Sequence, residues 1–168
     1  MCHAARLGIL IWMDEQHVQE AREMTLRAVS LLEEAWALLE GEGRVPSQRD
    51  QPWDQETLRE NELLGFLSGA SENLGTLKQF LLQPDFGREA AKYAAQHAQR
   101  ATESLRAIER VLHDEIEMNV NQLFFRELGR SVQAEDNVIA HYPRWFWLLG
   151  SARHALESVA NLLKPYSR

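Results

Sequence analysis

The residues best suited to acid–base or phosphate chemistry lie close together in the second half of the chain. His113 follows Arg106 by seven positions and directly precedes Asp114. Histidine exchanges a proton near neutral pH more readily than other side chains, and arginine suits phosphate recognition. These three residues form the candidate catalytic set. The simpler interpretation, which we favour, is that His113 is a solvated residue one helical turn after Glu109, with a small ion-pair benefit.

The eight residues 109–116, Glu-Arg-Val-Leu-His-Asp-Glu-Ile, carry one resemblance. They resemble the phosphoacceptor helix of a histidine-kinase subfamily, in which a Leu-His-Asp sequence lies in a long dimerising helix. The resemblance implies that His113 accepts phosphate and that Asp114 assists. Glu117 and Met118 stand where that family usually has Gly-Gln, and no glycine-rich ATP-binding domain follows. The implied protein is a phosphotransfer module and not a complete kinase.

A second resemblance rests on the spacing of Arg106 and His113, which are separated by six residues. This spacing is similar to the Arg-x4–6-His signature of HEPN-family ribonucleases, which are also small α-helical proteins. The family usually has a polar residue directly after the arginine, and this chain has Ala107. The resemblance implies a ribonuclease that uses Arg106 and His113.

Metal binding and covalent catalysis have little support in the sequence. A carboxylate-bridged di-iron bundle needs Glu from two helices and Glu-x-x-His from two more. The nearest patterns are an Asp-x-x-His-x-x-Glu run at 14–20 and a His-x-x-Glu run at 154–157. Cys2 is the only cysteine, and no serine lies in a Gly-x-Ser-x-Gly setting. We therefore expect no metal site, no cofactor and no nucleophilic catalysis.

An aromatic cluster near the C-terminus suggests a protein interface. Trp145 lies on the apolar face of its predicted helix. Trp147, two residues later, is rotated by about 200° from Trp145 about the helix axis. Ser151 and His154 share that second face with Trp147, and tryptophan on such a face is a common interface anchor. We expect Trp147, Ser151, His154 and Trp145 to form an interface with a second copy or another protein. The alternative is that Trp147 is covered within its own chain by Phe124, Phe125 or an N-terminal extension, 1–13.

The helices that must position these residues are read from apolar side chains recurring at alternating steps of three and four. They predict an all-α, up-and-down antiparallel bundle of four main helices plus a short extra helix. We expect the third helix to be interrupted at Asn119 and Asn121, just before the extra helix. The extra helix is then either a separate helix or a bent extension of the third helix. The main helices are expected over 14–41, 54–83, 88–118 and from Pro143 to Lys164, the extra helix over 120–133 and a loop over 134–142.

One apolar face grades from small to large along the third helix, and this gradient predicts its partner. Alanines occupy its start and Leu105, Ile108 and Leu112 its end. A short turn at 84–87 makes the second and third helices antiparallel neighbours, so large residues should face small ones. The predicted pairs are Leu81 with Ala91, Leu77 with Ala94, Leu74 with Ala98, Ala70 with Ala101 and Leu67 with Leu105; Leu63 is expected to begin the face of the second helix.

The composition sets the broad class of the protein. The chain has 168 residues and a net charge of −7, with fourteen acidic against five basic residues in 14–77. We expect one domain over 14–168 after an N-terminal extension, 1–13. Nucleic acid could bind only through a local basic face in the C-terminal half, because phosphate binding needs clustered cations. One cysteine and no long apolar run favour a cytoplasmic protein without membrane contact.

Overall fold

The computed structural model describes residues 14–47, 53–126 and 142–166, with the backbone alone for 115–126. Within these ranges it contains helices and no strand, which confirms the all-α class. The predicted N-terminal extension and residues 127–141 lie outside the described part. The helices are α1 (Glu15–Gly41), α2 (Gln55–Glu60), α3 (Glu62–Leu81), α4 (Arg88–Arg126) and α5 (Arg144–Leu163), and a 3-10 turn, Lys164–Tyr166, follows α5.

The four long helices pack as an up-and-down antiparallel bundle. The start of α1 lies beside the end of α3, where Arg22 Nε donates to the Leu81 carbonyl oxygen. The start of α1 also meets the end of the chain, where His17 Nδ1 and the Tyr166 hydroxyl are 3.0 Å apart. Each long helix therefore contacts two others around a shared core, as the sequence predicted.

The second predicted helix, 54–83, is two helices in the structure, so the single-helix prediction is wrong. Asp54 caps α2, because its side chain accepts hydrogen bonds from the Thr57 amide, at 2.7 Å, and from the Thr57 hydroxyl. These hydrogen bonds hold the pKa of Asp54 below its ordinary value. Asn61 then adopts an extended backbone, and its side-chain oxygen accepts from the Leu64 amide at 2.9 Å. Asn61 is therefore the C-cap of α2 and the N-cap of α3, and asparagine is among the residues preferred at an N-cap.

The third predicted helix is longer than expected. α4 continues without interruption through Asn119 and Asn121 to Arg126, so the break predicted at these asparagines is wrong. Asparagine has a weak helix propensity but does not by itself end a helix, since neighbouring turns outweigh a cost of a few tenths of a kcal/mol. The start of α5 after Pro143 agrees with the prediction. The part of the extra helix predicted over 127–133 lies outside the described residues.

The graded face of α4 is buried along its whole length, from Ala91 at 0% exposure to Leu112 at 1%. Contacts beside this face agree with the predicted register. His97 Nδ1 lies 2.9 Å from Asn73 Oδ1, and the Phe80 and Tyr93 rings stack with centroids 5.8 Å apart. These pairs match the predicted alignment of α3 with α4 to within about one turn.

The start of α3 departs from the sequence pattern at one residue. Leu64 is fully buried and Leu63 is half-buried, so Leu64 begins the core face of α3. Leu64 lies three positions before Leu67, and Leu63 lies four, so both are on the same side of the helix. Gly65 permits the close approach of α2, because a Cβ there would lie 3.1 Å from the Leu58 carbonyl oxygen.

The α3–α4 register can be tested with a double-mutant cycle. We expect Leu74→Ala to lower the free energy of unfolding by about 2–5 kcal/mol because it leaves a cavity, and Ala98→Leu by about 1–3 kcal/mol because it overfills the core. If these residues face each other, the double variant recovers about 1 kcal/mol or more of the summed loss. Urea denaturation measures all three. Leu26→Ala is the matched control at a 46% exposed leucine of α1. Strictly additive losses would contradict the register.

Candidate functional site

The antiparallel packing of α4 and α5 leaves a groove of about 920 Å³ between their outer faces, called here the α4–α5 groove. In the sequence, the His113 group and the Trp147 group are two separate candidate sites. The structure brings both to this groove, because the second half of α4 lies alongside the first half of α5. Its lining includes Arg106, Arg110, His113 and Asp114 from α4 and Phe146, Trp147, Gly150, Ser151, Arg153 and His154 from α5.

Trp147 is the most exposed large hydrophobic residue of the groove, at 52%. Its ring contacts two aromatic neighbours, Tyr142 and Phe146, each with centroids 6.0 Å away. These contacts hold the indole at the mouth of the groove and leave about half of its surface in solvent. The residues predicted to cover Trp147 in the alternative interpretation have side chains outside the described part of the chain.

Trp145 does not belong to the groove. It is 1% exposed and lies in the core, as its place on the apolar face of α5 predicts. Its indole Nε1 donates to Glu42 Oε2 at 3.0 Å, and the Arg44 guanidinium lies 5.2 Å from the ring centroid. The structure therefore separates Trp145 from the other three residues of the predicted interface.

His113 and Arg106 line the same groove about two helical turns apart. The His113 side chain is 44% exposed, and its Nδ1 lies 4.0 Å from Asp114 Oδ1. Its ring also contacts Tyr142, with centroids 5.9 Å apart. Arg106 Nη2 donates to Glu157 Oε1 at 2.7 Å. A carboxylate of α5 therefore already engages the guanidinium that the ribonuclease resemblance would assign to phosphate.

An ion-pair network of Arg106, Glu109, Arg153 and Glu157 crosses from α4 to α5. Arg153 Nε donates to Glu109 Oε2 at 2.5 Å, and its Nη1 donates to Glu157 Oε1 at 2.9 Å. Burial alone would raise the pKa of Glu157, but hydrogen bonds from both arginines outweigh it and hold the pKa below its ordinary value. Burial likewise opposes the Arg153 charge, and the two carboxylates overcome it and raise the Arg153 pKa.

Gly150 makes room for this network, because a Cβ there would lie 3.2 Å from Glu109 Oε1. The network was not predicted from the sequence. The part of the network that the sequence indicates is the pair Arg153 and Glu157, which lie four residues apart on one helical face. The crossing to Glu109 depends on how α4 and α5 align, which no local pattern specifies.

The charges of the groove balance. Three basic residues (Arg106, Arg110 and Arg153) lie with three acidic ones (Glu103, Glu109 and Asp114). The α4–α5 groove is therefore not the basic face that nucleic acid would need. A second, more polar groove of about 610 Å³ continues it toward Lys92 and Lys164 and shares Glu103 and Arg106 with it.

The described residues contain no group of three or more His, Cys, Asp or Glu side chains placed to hold a metal ion. In the two patterns singled out from the sequence, His17 bonds to Tyr166, and His154 Nδ1 lies 3.6 Å from Glu157 Oε2. In the same part of the chain, no helix combines the length and the apolar character needed to cross a membrane. Comparison with protein families, with curated proteins and with solved structures found no match.

Removing Arg153 tests the ion-pair network. Arg153→Met leaves two half-buried carboxylates without this partner, so we expect it to lower the free energy of unfolding by about 1–3 kcal/mol at pH 7. The folded-state pKa of Glu157 is depressed, so its contribution is full above its unfolded value, 4.5, and is lost as the pH falls through the folded value. The deficit of the variant should therefore shrink below about pH 4.5, as measured by urea denaturation across pH.

Arg144→Met is the matched control for this experiment. Arg144 pairs with Glu34 across α5 and α1, but its side chain is 73% exposed. An exposed pair contributes at most about 1 kcal/mol. Equal losses in the two variants would show that the network adds nothing beyond a surface pair.

Proposed function

We propose that this chain is a non-catalytic helical interaction subunit of the cytoplasm that associates with a second copy or another protein through the α4–α5 groove. The exposure of Trp147, 52% at the mouth of that groove, carries the proposal. An exposed half of an indole is about 100 Å² of apolar surface, so covering it is favourable by about 2.5 kcal/mol. Tryptophan is among the residues that dominate binding energy at protein interfaces.

The rest of the groove supports the same proposal. Aromatic side chains occupy one end of it and paired charges border them, which resembles the apolar centre and polar rim of protein interfaces. Arg106 and Arg153 already have carboxylate partners within the chain. A partner that covers them would not have to supply new counter-charges, so the cost of burying charge is reduced. The single cysteine is in keeping with a reducing compartment such as the cytoplasm.

Site-specific photocrosslinking in the expressing cell tests this proposal. A benzophenone amino acid at Ser151, in the groove, should give covalent adducts with a second copy or with one defined partner. The same amino acid at Gln79, an exposed position of α3, is the matched control. Trp147→Ser should reduce the Ser151 adducts at least tenfold, because it removes the apolar anchor. Equal adducts at the two positions, or adducts that survive Trp147→Ser, would contradict the proposal.

The second candidate is an enzyme centred on His113, either a HEPN-like ribonuclease or a phosphotransfer module. The observation in its favour is that Arg106, His113 and Asp114 line one open groove. The balanced charge of the groove and the pairing of Arg106 with Glu157 count against it, because a phosphate ligand would have to displace a carboxylate. We therefore rank it second.

An activity assay separates the two functions. The assay compares the purified chain with its His113→Ala and His97→Ala variants. We expect all three proteins to leave a fluorescent single-stranded RNA uncleaved. We also expect that none of the three becomes phosphorylated, as acid-labile phosphate, when incubated with acetyl phosphate. His97 is the control because it lies on the same helix but contacts Asn73 of α3. Activity that falls at least a hundredfold in His113→Ala and persists in His97→Ala would overturn the non-catalytic proposal.

A further inference from the structure

We infer that the partner at the α4–α5 groove is a second copy of this chain, with its α5 antiparallel to the first α5 about a twofold axis near Ser151. This inference rests on the proposed function and specifies the partner and its geometry.

The outer surface of α5 carries a row of residues spaced like a coiled-coil seam. Trp147, Ser151, His154 and Ser158 follow steps of four, three and four, and they are called here the outer stripe. Ser151 is exposed, and the His154 side chain is 72% exposed. The stripe contains no Asp, Glu, Lys or Arg, so a second helix can cover it without removing a permanent charge from water.

The charge distribution favours a copy of this chain at this face. The α4–α5 groove and its polar continuation together contain five basic residues and four acidic ones. The whole chain has a net charge of −7, so the remaining residues are strongly acidic. The two grooves sum to +1 and the remaining residues to −8, so two copies that meet at this face bring almost no net charge together. The basic members are Lys92, Arg106, Arg110, Arg153 and Lys164, and the acidic members are Glu103, Glu109, Asp114 and Glu157.

The sizes of the side chains select the antiparallel arrangement. Trp147 stands at one end of the outer stripe, and Gly150 and Ser151 are small. In a parallel pair the two indoles would meet at one level and hold the helices apart there, while the smaller residues Ser151, His154 and Ser158 met their own copies along the rest. In an antiparallel pair centred on Ser151, each Trp147 lies at the level of the twin's residue 155, beside His154. Each end then holds one indole and one imidazole, which gives even packing along the pair.

Disulfide trapping tests this geometry. In a Cys2→Ser background, Ser151→Cys lies on the twofold axis, where facing helices bring two cysteines within bonding distance. The control, Ser158→Cys, lies seven residues from the axis, so its twin is about 21 Å away along the helix. We expect mild oxidation to convert most of the Ser151→Cys protein to covalent dimer and to leave Ser158→Cys monomeric. Circular dichroism checks that both variants keep their helix content.

Sedimentation velocity on the same background gives the second measurement. We expect a dimer whose dissociation constant rises at least tenfold in Trp147→Ser and does not change in Tyr93→Ser, a control at an exposed aromatic residue of α4. Efficient trapping of Ser158→Cys, or a dimer insensitive to Trp147→Ser, would overturn the inference. If the chain is monomeric and the photocrosslinker at Ser151 captures one defined partner of another sequence, with adducts that Trp147→Ser removes, the inference is overturned and the proposed function is supported. A monomeric chain with no adduct contradicts both.

Discussion

The buried face of α4 is the constraint on which the other features of this bundle depend. It is covered by α3 on one side and by α5 on the other, so it fixes the position of both helices. Its alanines let the leucines of α3 approach closely, and its large aliphatic residues fill the space where α3 begins. Since close-packed side chains tolerate little displacement, the outer residues of α4 and α5 meet in one alignment. The groove and the ion-pair network both follow from that alignment.

The ion-pair network shows how polar groups make use of this packing. Glu109 approaches α5 at the only glycine of that helix, and Arg153 bridges it to Glu157. The network adds directional contacts to an apolar interface, because each hydrogen bond specifies an angle as well as a distance. It also pairs Arg106 and Arg153, two of the three arginines of the groove, with carboxylates of the same chain. A phosphate-bearing ligand would have to compete with these carboxylates for two of the three arginines of the groove.

Sequence patterns predicted some features of the candidate site and not others. Helical periodicity found the core face of every long helix, and the Trp147 face and the His113 group were each visible in the sequence. Their convergence was not, because it depends on which residues of α4 and α5 lie side by side. Local signals were also ambiguous at Asn61, which ends one helix and caps the next, and at Asn119, where the helix continues. The same residue type gave different outcomes because neighbouring packing outweighs a small intrinsic propensity.

The sequence by itself determined the helical class, the buried faces and the antiparallel pairing of α3 with α4. These follow from periodicity and from a short turn, both of which act between residues close in the chain. Only the tertiary structure decided that Trp145 lies in the core near Glu42, that Arg106 pairs with Glu157, and that His113 and Trp147 line one groove. Those arrangements join residues from about 30 to more than 100 positions apart. They form only when the whole bundle packs, because the core sets the distances between its outer faces.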